Sequence, residues 1–290
     1  MQTDAPDLVA QALMAASLAA YMWAAHRLHH RGRRWRRGRT ASFGAGIACV
    51  WLAVASVLVS YDETDVTAHI VQHLLLMMLA PPLLALGRPL TLLARAGPRR
   101  ARKWVARRVR GRAARLLTNP VVGAALYLGS MYAMLTSRAV YRFLDTHQAA
   151  HDASHLWLLA AGLVYFEPLL GEAAVRRSHP VRIIPVLAVM PFEVMVGIWL
   201  RYQTRPFLAS NTLADTQRAG EAFVVGSTLL ATVWLGIIVA QWAGRELREE
   251  RRRARRPPSL EWTTPWWVGP GQVSGPAGCP VSGPPAGPAG

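Results

Sequence analysis

Seven apolar runs of membrane-spanning length, separated by stretches crowded with arginine, leave this chain few folds to adopt. The runs are residues 8–25, 42–60, 66–86, 121–137, 153–170, 181–200 and 222–242. A helix that crosses hydrocarbon needs about 20 mostly apolar residues, and several of them in series imply a polytopic bundle. The expected fold class is therefore all-α, with a seven-helix membrane domain over residues 1–245. Residues 246–290 begin basic and turn Gly/Pro-rich beyond Pro257, a composition that cannot bury a core, so a disordered tail is expected there. The net charge of +17 would suit a nucleic-acid binder, but its alternation with apolar runs excludes that class.

The arginines also give the chain a direction. Of its 33 Lys and Arg residues, all but Arg138, Arg142, Arg201, Arg205 and Arg218 fall in alternate loops on one side. The positive-inside rule puts that side in the cytoplasm, with the N-terminus outside and the tail inside. An odd number of spans requires opposite sides, so seven is self-consistent. The first run is followed, not preceded, by its basic cluster, and so reads as a span instead of a cleaved leader. The acid-free link over residues 99–115 mixes Trp104, Val105 and Val109 with arginine, as does an amphipathic helix lying on anionic lipid headgroups.

Ionisable groups inside apolar runs are costly and mark candidate functional sites. The third run, VTAHIVQHLLLMMLAPPLLALG, carries His69 and His73 four residues apart, and the fifth begins HDASHLWLL with His151 and His155 at the same spacing. Four residues is about one helical turn, so each pair shares a helix face. By the charge pattern both runs enter from the outer side, which places both pairs in the outer leaflet at similar depth. Four imidazoles at one level are a donor set for a metal ion. Met77 extends the first stripe by one more turn.

Other residues of that leaflet are weaker candidates. Met131, Met134 and Met195 bear soft thioethers, although methionine more often fills irregular core gaps. Glu193, in the sixth run, is a buried-acid candidate for orienting an imidazole behind the metal, and Asp152 beside His151 shares that reading. His147 reads as an interfacial residue with peripheral ligation as the alternative, while His26, His29, His30 and His179 lie among cytoplasmic arginines. Pro81 cannot donate to the carbonyl of Met77, so a kink or local unwinding is expected there. Cys49 and Cys279 form no CxxC motif and read as unpaired thiols.

The string YDETDVTAHIVQHLLLMMLAPPLLALGRPLTLL closely resembles the signature of the CtaG family of caa-type cytochrome c oxidase assembly factors. HDASHLWLLAAGLVYFEPLLG and LADTQRAG, before the last span, do so too. The resemblance covers roughly residues 42–243. It implies a multi-pass protein of the cell (plasma) membrane, with the family's two histidine-bearing helices mapping onto His69, His73, His151 and His155. It also implies that Asp215 and Gln217 match the family's D-x-Q element, and that copper is the metal. The implied partners are cytochrome c oxidase subunits or other copper proteins. Glu221, where a second glycine is usual, departs from the pattern.

Three functional classes follow. A copper-handling assembly factor, a binding protein and not an enzyme, is the first. An intramembrane zinc hydrolase is the second, because HDASH echoes a metalloprotease motif with Asp for Glu, though HIVQH has no acid at all. A single-haem membrane protein is the third, since two facing imidazoles can hold one haem.

Overall fold

The computed structural model describes residues 5–55, 65–171, 179–206 and 212–254. All regular structure among them is helical. The elements are α1 (Ala5–His30), α2 (Arg37–Ala55), α3 (Val66–Leu74), a π-helical turn (Leu75–Leu79), α4 (Ala80–Gly87), α5 (Pro89–Ala96), α6 (Arg99–Arg110), α7 (Arg112–Leu117), α8 (Pro120–Thr136), α9 (Arg138–Thr146), α10 (Gln148–Leu170), α11 (His179–Arg201) and α12 (Leu213–Ala254). The chain divides into two compact units, Met1–Ala243 and Gly244–Gly290, and the packing below is that of the first. In the second, helix continues to Ala254 through residues rich in Arg and Glu, both good helix formers. The expected Gly/Pro-rich disorder and Cys279 lie outside the described residues.

Six helices are long and apolar enough to cross a membrane: 8–30, Arg37–Ala55, Val66–Ala96, Gln148–Leu170, 180–201 and Leu213–Ala254. The expected fourth span is where the count of seven depends on definition. α8 has 17 residues and meets 138–144 at a bend of 82°, so a seventh span exists only if that bent pair is taken as one. Ser137 explains the break, because its extended backbone ends α8 and its hydroxyl accepts from Val140 N–H to start α9. The basic link is likewise two helices, broken at extended Gly111.

Cross-helix contacts give each element a direction. Tyr21 of α1 bonds Gly87 O and Arg31 bonds Ala96 O, so α1 runs parallel to the third span. α2 runs against that span, with Phe43 at Gly87, Gly46 at Leu84 and Ala53 at Gln72. α8 opposes α10, with Gly123 at Tyr165 and Ser130 at Trp157. α11 opposes α10 as well, with Tyr165 at Pro185 and Leu169 at Arg182. α12 follows α3, with Asp215 at Val66, Gly226 at Leu74 and Trp234 at Met78. Successive segments thus alternate up and down.

Large apolar side chains such as Leu13, Trp23, Ile184, Leu187, Leu229 and Val233 stand exposed around the bundle. Such a surface is tolerated in lipid and not in water, so the chain is a multi-pass membrane protein. The buried centre is the third span, which packs against α2, α10 and α12. Glycines make these approaches close. A Cβ on Gly162 of α10 would stand 2.5 Å from Pro81 Cγ and 2.6 Å from Met77 O, and one on Gly46 would stand 2.8 Å from Leu84.

Candidate functional site

The third span begins with a built N-terminus. Asp65, extended at φ −133°, accepts from Thr67 N–H at 2.7 Å, while Asp215 of α12 accepts from Val66 N–H at 3.0 Å and from the Thr67 hydroxyl at 3.2 Å. Two free helix N–H groups are thereby satisfied from outside the helix. Partial burial works to raise the Asp65 carboxyl, but its hydrogen bonds with Asp215 and Thr67 outweigh that and hold it below the ordinary value. Asp215, singled out in sequence only by a family motif, is therefore a clamp between α12 and α3. Gln217 of the same motif donates to Gln203 O at 3.3 Å.

One turn further on, the four histidines meet. The ring centroids of His69 and His73 are 4.2 Å apart, those of His151 and His155 4.5 Å, and His69 and His151 bring the two helices together at 6.2 Å. His73 is near enough to the other three to interact electrostatically with each. His69, His73 and His155 are buried and His151 half-buried. Tyr141 of α9 packs its ring 5.0 Å from His69. The signal that could have found Tyr141 is the amphipathic pattern of RAVYRFLDT, which puts it on the buried face of a short helix.

A metal–imidazole bond of about 2 Å separates two ligating ring centroids by roughly 5–6 Å; the rings have the right donor type, but the two pairs stand closer than that and His69 and His151 slightly farther. As placed, they form a row of tilted, stacked and edge-on rings instead of a closed coordination sphere. Among the described residues, no group of three or more His, Cys, Asp or Glu side chains is poised to hold a metal. Closure would require ring rotation.

The remaining candidates part company with the row. Asp152 is exposed and accepts from Gln148 Nε2 at 3.0 Å. His147 is exposed and bonds Thr146 and Phe143 O, and Met195 is 60% exposed on the lipid side. Met131 and Met134 are core residues. Glu193, expected behind an imidazole, takes its hydrogen bond from Tyr127 OH at 2.8 Å instead and is 2% exposed. Arg182, grouped with the loop arginines in the charge pattern, is fully buried; its Nε donates to Leu169 O and its Nη2 to Gln241 Oε1, both at 2.6 Å. The side chain of His179 lies outside the described residues.

Met77 sits in the π-helical turn, where the expected irregularity takes a definite form. Pro81 and Pro82 have no N–H for the carbonyls of Met77 and Met78. The preceding turn widens so that Ala80 N–H reaches Leu75 O, and Trp234 of α12 donates its indole N–H to Met78 O at 2.9 Å. Gly162 admits the Met77 carbonyl against α10. Span three is thus re-registered and locked by two neighbours between its histidines and its inner half.

An all-helical membrane bundle with an intramembrane row of imidazoles on two parallel helices defines the class. The cytochrome c oxidase caa3 assembly factor family (Caa3_CtaG) matches residues 19–245, and the chain belongs to that family. It is similar to an uncharacterized protein of Mycobacterium bovis and one of Mycobacterium tuberculosis, each 28% identical over 251 residues that cover 79% of this chain and 37% of the relative. An uncharacterized protein of Mycobacterium leprae is 26% identical over 254 residues, covering 79% of this chain and 38% of that one. The chain therefore spans little more than a third of the length of these relatives. No solved structure matches it.

Proposed function

We propose that the protein supports assembly of cytochrome c oxidase by carrying copper. The ion is cargo, held by His69, His73, His151 and His155 near the outer face of the plasma membrane. It is handed to a copper centre of an oxidase subunit or another copper protein. The outer placement follows from the positive-inside count. Carrying this reading is the meeting of two i,i+4 histidine pairs from parallel helices, with His69 and His151 6.2 Å apart, in a chain of this family. Imidazole suits copper, and ionisable groups gathered inside a membrane bundle mark a candidate functional site. Met77, one turn along from His73, is the nearest thioether on that helix and is proposed as an auxiliary donor. A zinc hydrolase is less well supported, because the acid of HDASH faces Gln148.

His73→Ala tests the proposal. Copper per purified protein should fall, and cells carrying the variant should lose oxidase activity while the protein stays in the membrane at normal abundance. Full copper content together with full oxidase activity would reject the site. A fall in abundance alone would make the histidines structural.

A further inference from the structure

Glu193 is a carboxylate in the middle of a membrane bundle, away from the histidine row it was expected to serve. Beside it lies a cavity of about 10 Å³, the space that one water-sized occupant needs. Met78, Tyr165, Phe166 and Trp234 line it together with Glu193, and aliphatic residues of α11 and α12 complete the wall. Tyr127, which bonds Glu193, stacks on Tyr165 with centroids 4.6 Å apart, and Phe166 lies 6.3 Å from Trp234. Three aromatic residues, a thioether and a carboxyl group thus line one small space, with Tyr127 behind them.

The chemistry of this wall is one-sided. Tyr165 and Trp234 are the lining residues with side-chain O–H or N–H groups, and both are committed elsewhere. The Tyr165 hydroxyl donates to Pro185 O at 3.2 Å, and the Trp234 indole donates to Met78 O at 2.9 Å. The other chemistry among the lining residues is the Glu193 carboxyl, the Met78 thioether and aromatic rings, all groups that attract cations. A monovalent ion would leave the Glu193 carboxylate and its guest neutral together, whereas a divalent ion would leave a net charge in hydrocarbon.

We infer that Glu193 and Met78 form a second cation site, separate from the histidines, that takes one soft monovalent ion of the Cu(I) or Ag(I) class inside this aromatic cage. Met78 follows His73 by five residues on the same span, about 7–8 Å along a helix axis. The two sites are therefore successive stations on one helix. The inference rests on the copper reading above only for the identity of the ion.

The test uses the full chain, purified in detergent and titrated with Ag(I). Wild type should bind two ions, and Glu193→Gln, which keeps the shape and still accepts from Tyr127, should bind one of them at least tenfold more weakly. Met78→Leu, which keeps the volume without the sulfur, should do the same. His73→Ala should lose the other ion and retain this one. If either Glu193→Gln or Met78→Leu, folded by thermal stability, matches wild type in both ions, the inference is overturned. If His73→Ala leaves both ions while the two inner variants each lose one, the histidine reading fails and this one stands.

Discussion

The histidine row and the Glu193 cavity share the third span and α10 but were made in different ways. Each histidine pair is a local repeat, one turn of one helix, and the row needs only that α3 and α10 run side by side in register. The cavity draws Met78 from the π-helical turn, Tyr165 and Phe166 from α10, Glu193 from α11 and Trp234 from α12, with Tyr127 of α8 holding the acid. Its contributors are up to 156 residues apart in the chain. A site built from local repeats tolerates changes elsewhere; a site built from five elements depends on every contact that fixes their relative depth.

Substitutions between the two regions should separate them. The largest effect is expected at Gly162, where α10 meets the π-helical turn. Gly162→Ala puts a methyl 2.5 Å from Pro81 Cγ and 2.6 Å from Met77 O. Neither a proline ring nor a carbonyl can rotate away, so a cost of about 1–3 kcal/mol is expected. Thermal unfolding in detergent and membrane abundance would both fall, and both regions would lose ion affinity. A variant as stable as wild type would mean that the two helices can slide apart without consequence.

Trp234→Phe should act on one region only. It removes the donor for Met78 O and leaves a carbonyl unsatisfied in the core, at a cost of roughly 1–3 kcal/mol. Inner-site Ag(I) binding should weaken while copper held by the histidines is retained. Equal loss at both sites would show that the histidine row depends on the π-helical turn after all.

Asp215→Ala should do the converse. It strips the cap that α12 places on Val66 and Thr67, worth about 1 kcal/mol. Copper held by the histidine row should weaken, and the Glu193 cavity, three turns away, should be unchanged. Asp215→Asn should recover part of the loss, because its side-chain oxygen still accepts. Smallest of all is Gly129→Ala on α8, where a Cβ meets nothing within 4 Å. It should leave both sites untouched and raise thermal stability by a fraction of a kcal/mol through helix propensity.

Hydropathy and charge in the sequence alone determined that the chain is an all-helical membrane bundle, because the cost of burying a polar backbone in lipid acts on each segment separately. The i,i+4 spacing of His69 and His73, and of His151 and His155, was likewise visible, since helical periodicity is a property of a single segment. The two prolines announced a break in the third span for the same reason. Tertiary structure decided everything that joins segments: that the two pairs meet, that Tyr141 covers His69, that Asp215 caps a helix begun 149 residues earlier, that Arg182 leaves the loop arginines for the core, and that Glu193 binds Tyr127 instead of an imidazole. These depend on which helix faces are apposed and at what depth. In lipid that is settled by close packing at glycines such as Gly162 and Gly220 and by the few hydrogen bonds between helices. Apolar lengths say which segments enter the membrane; only packing says which of their polar residues find each other there.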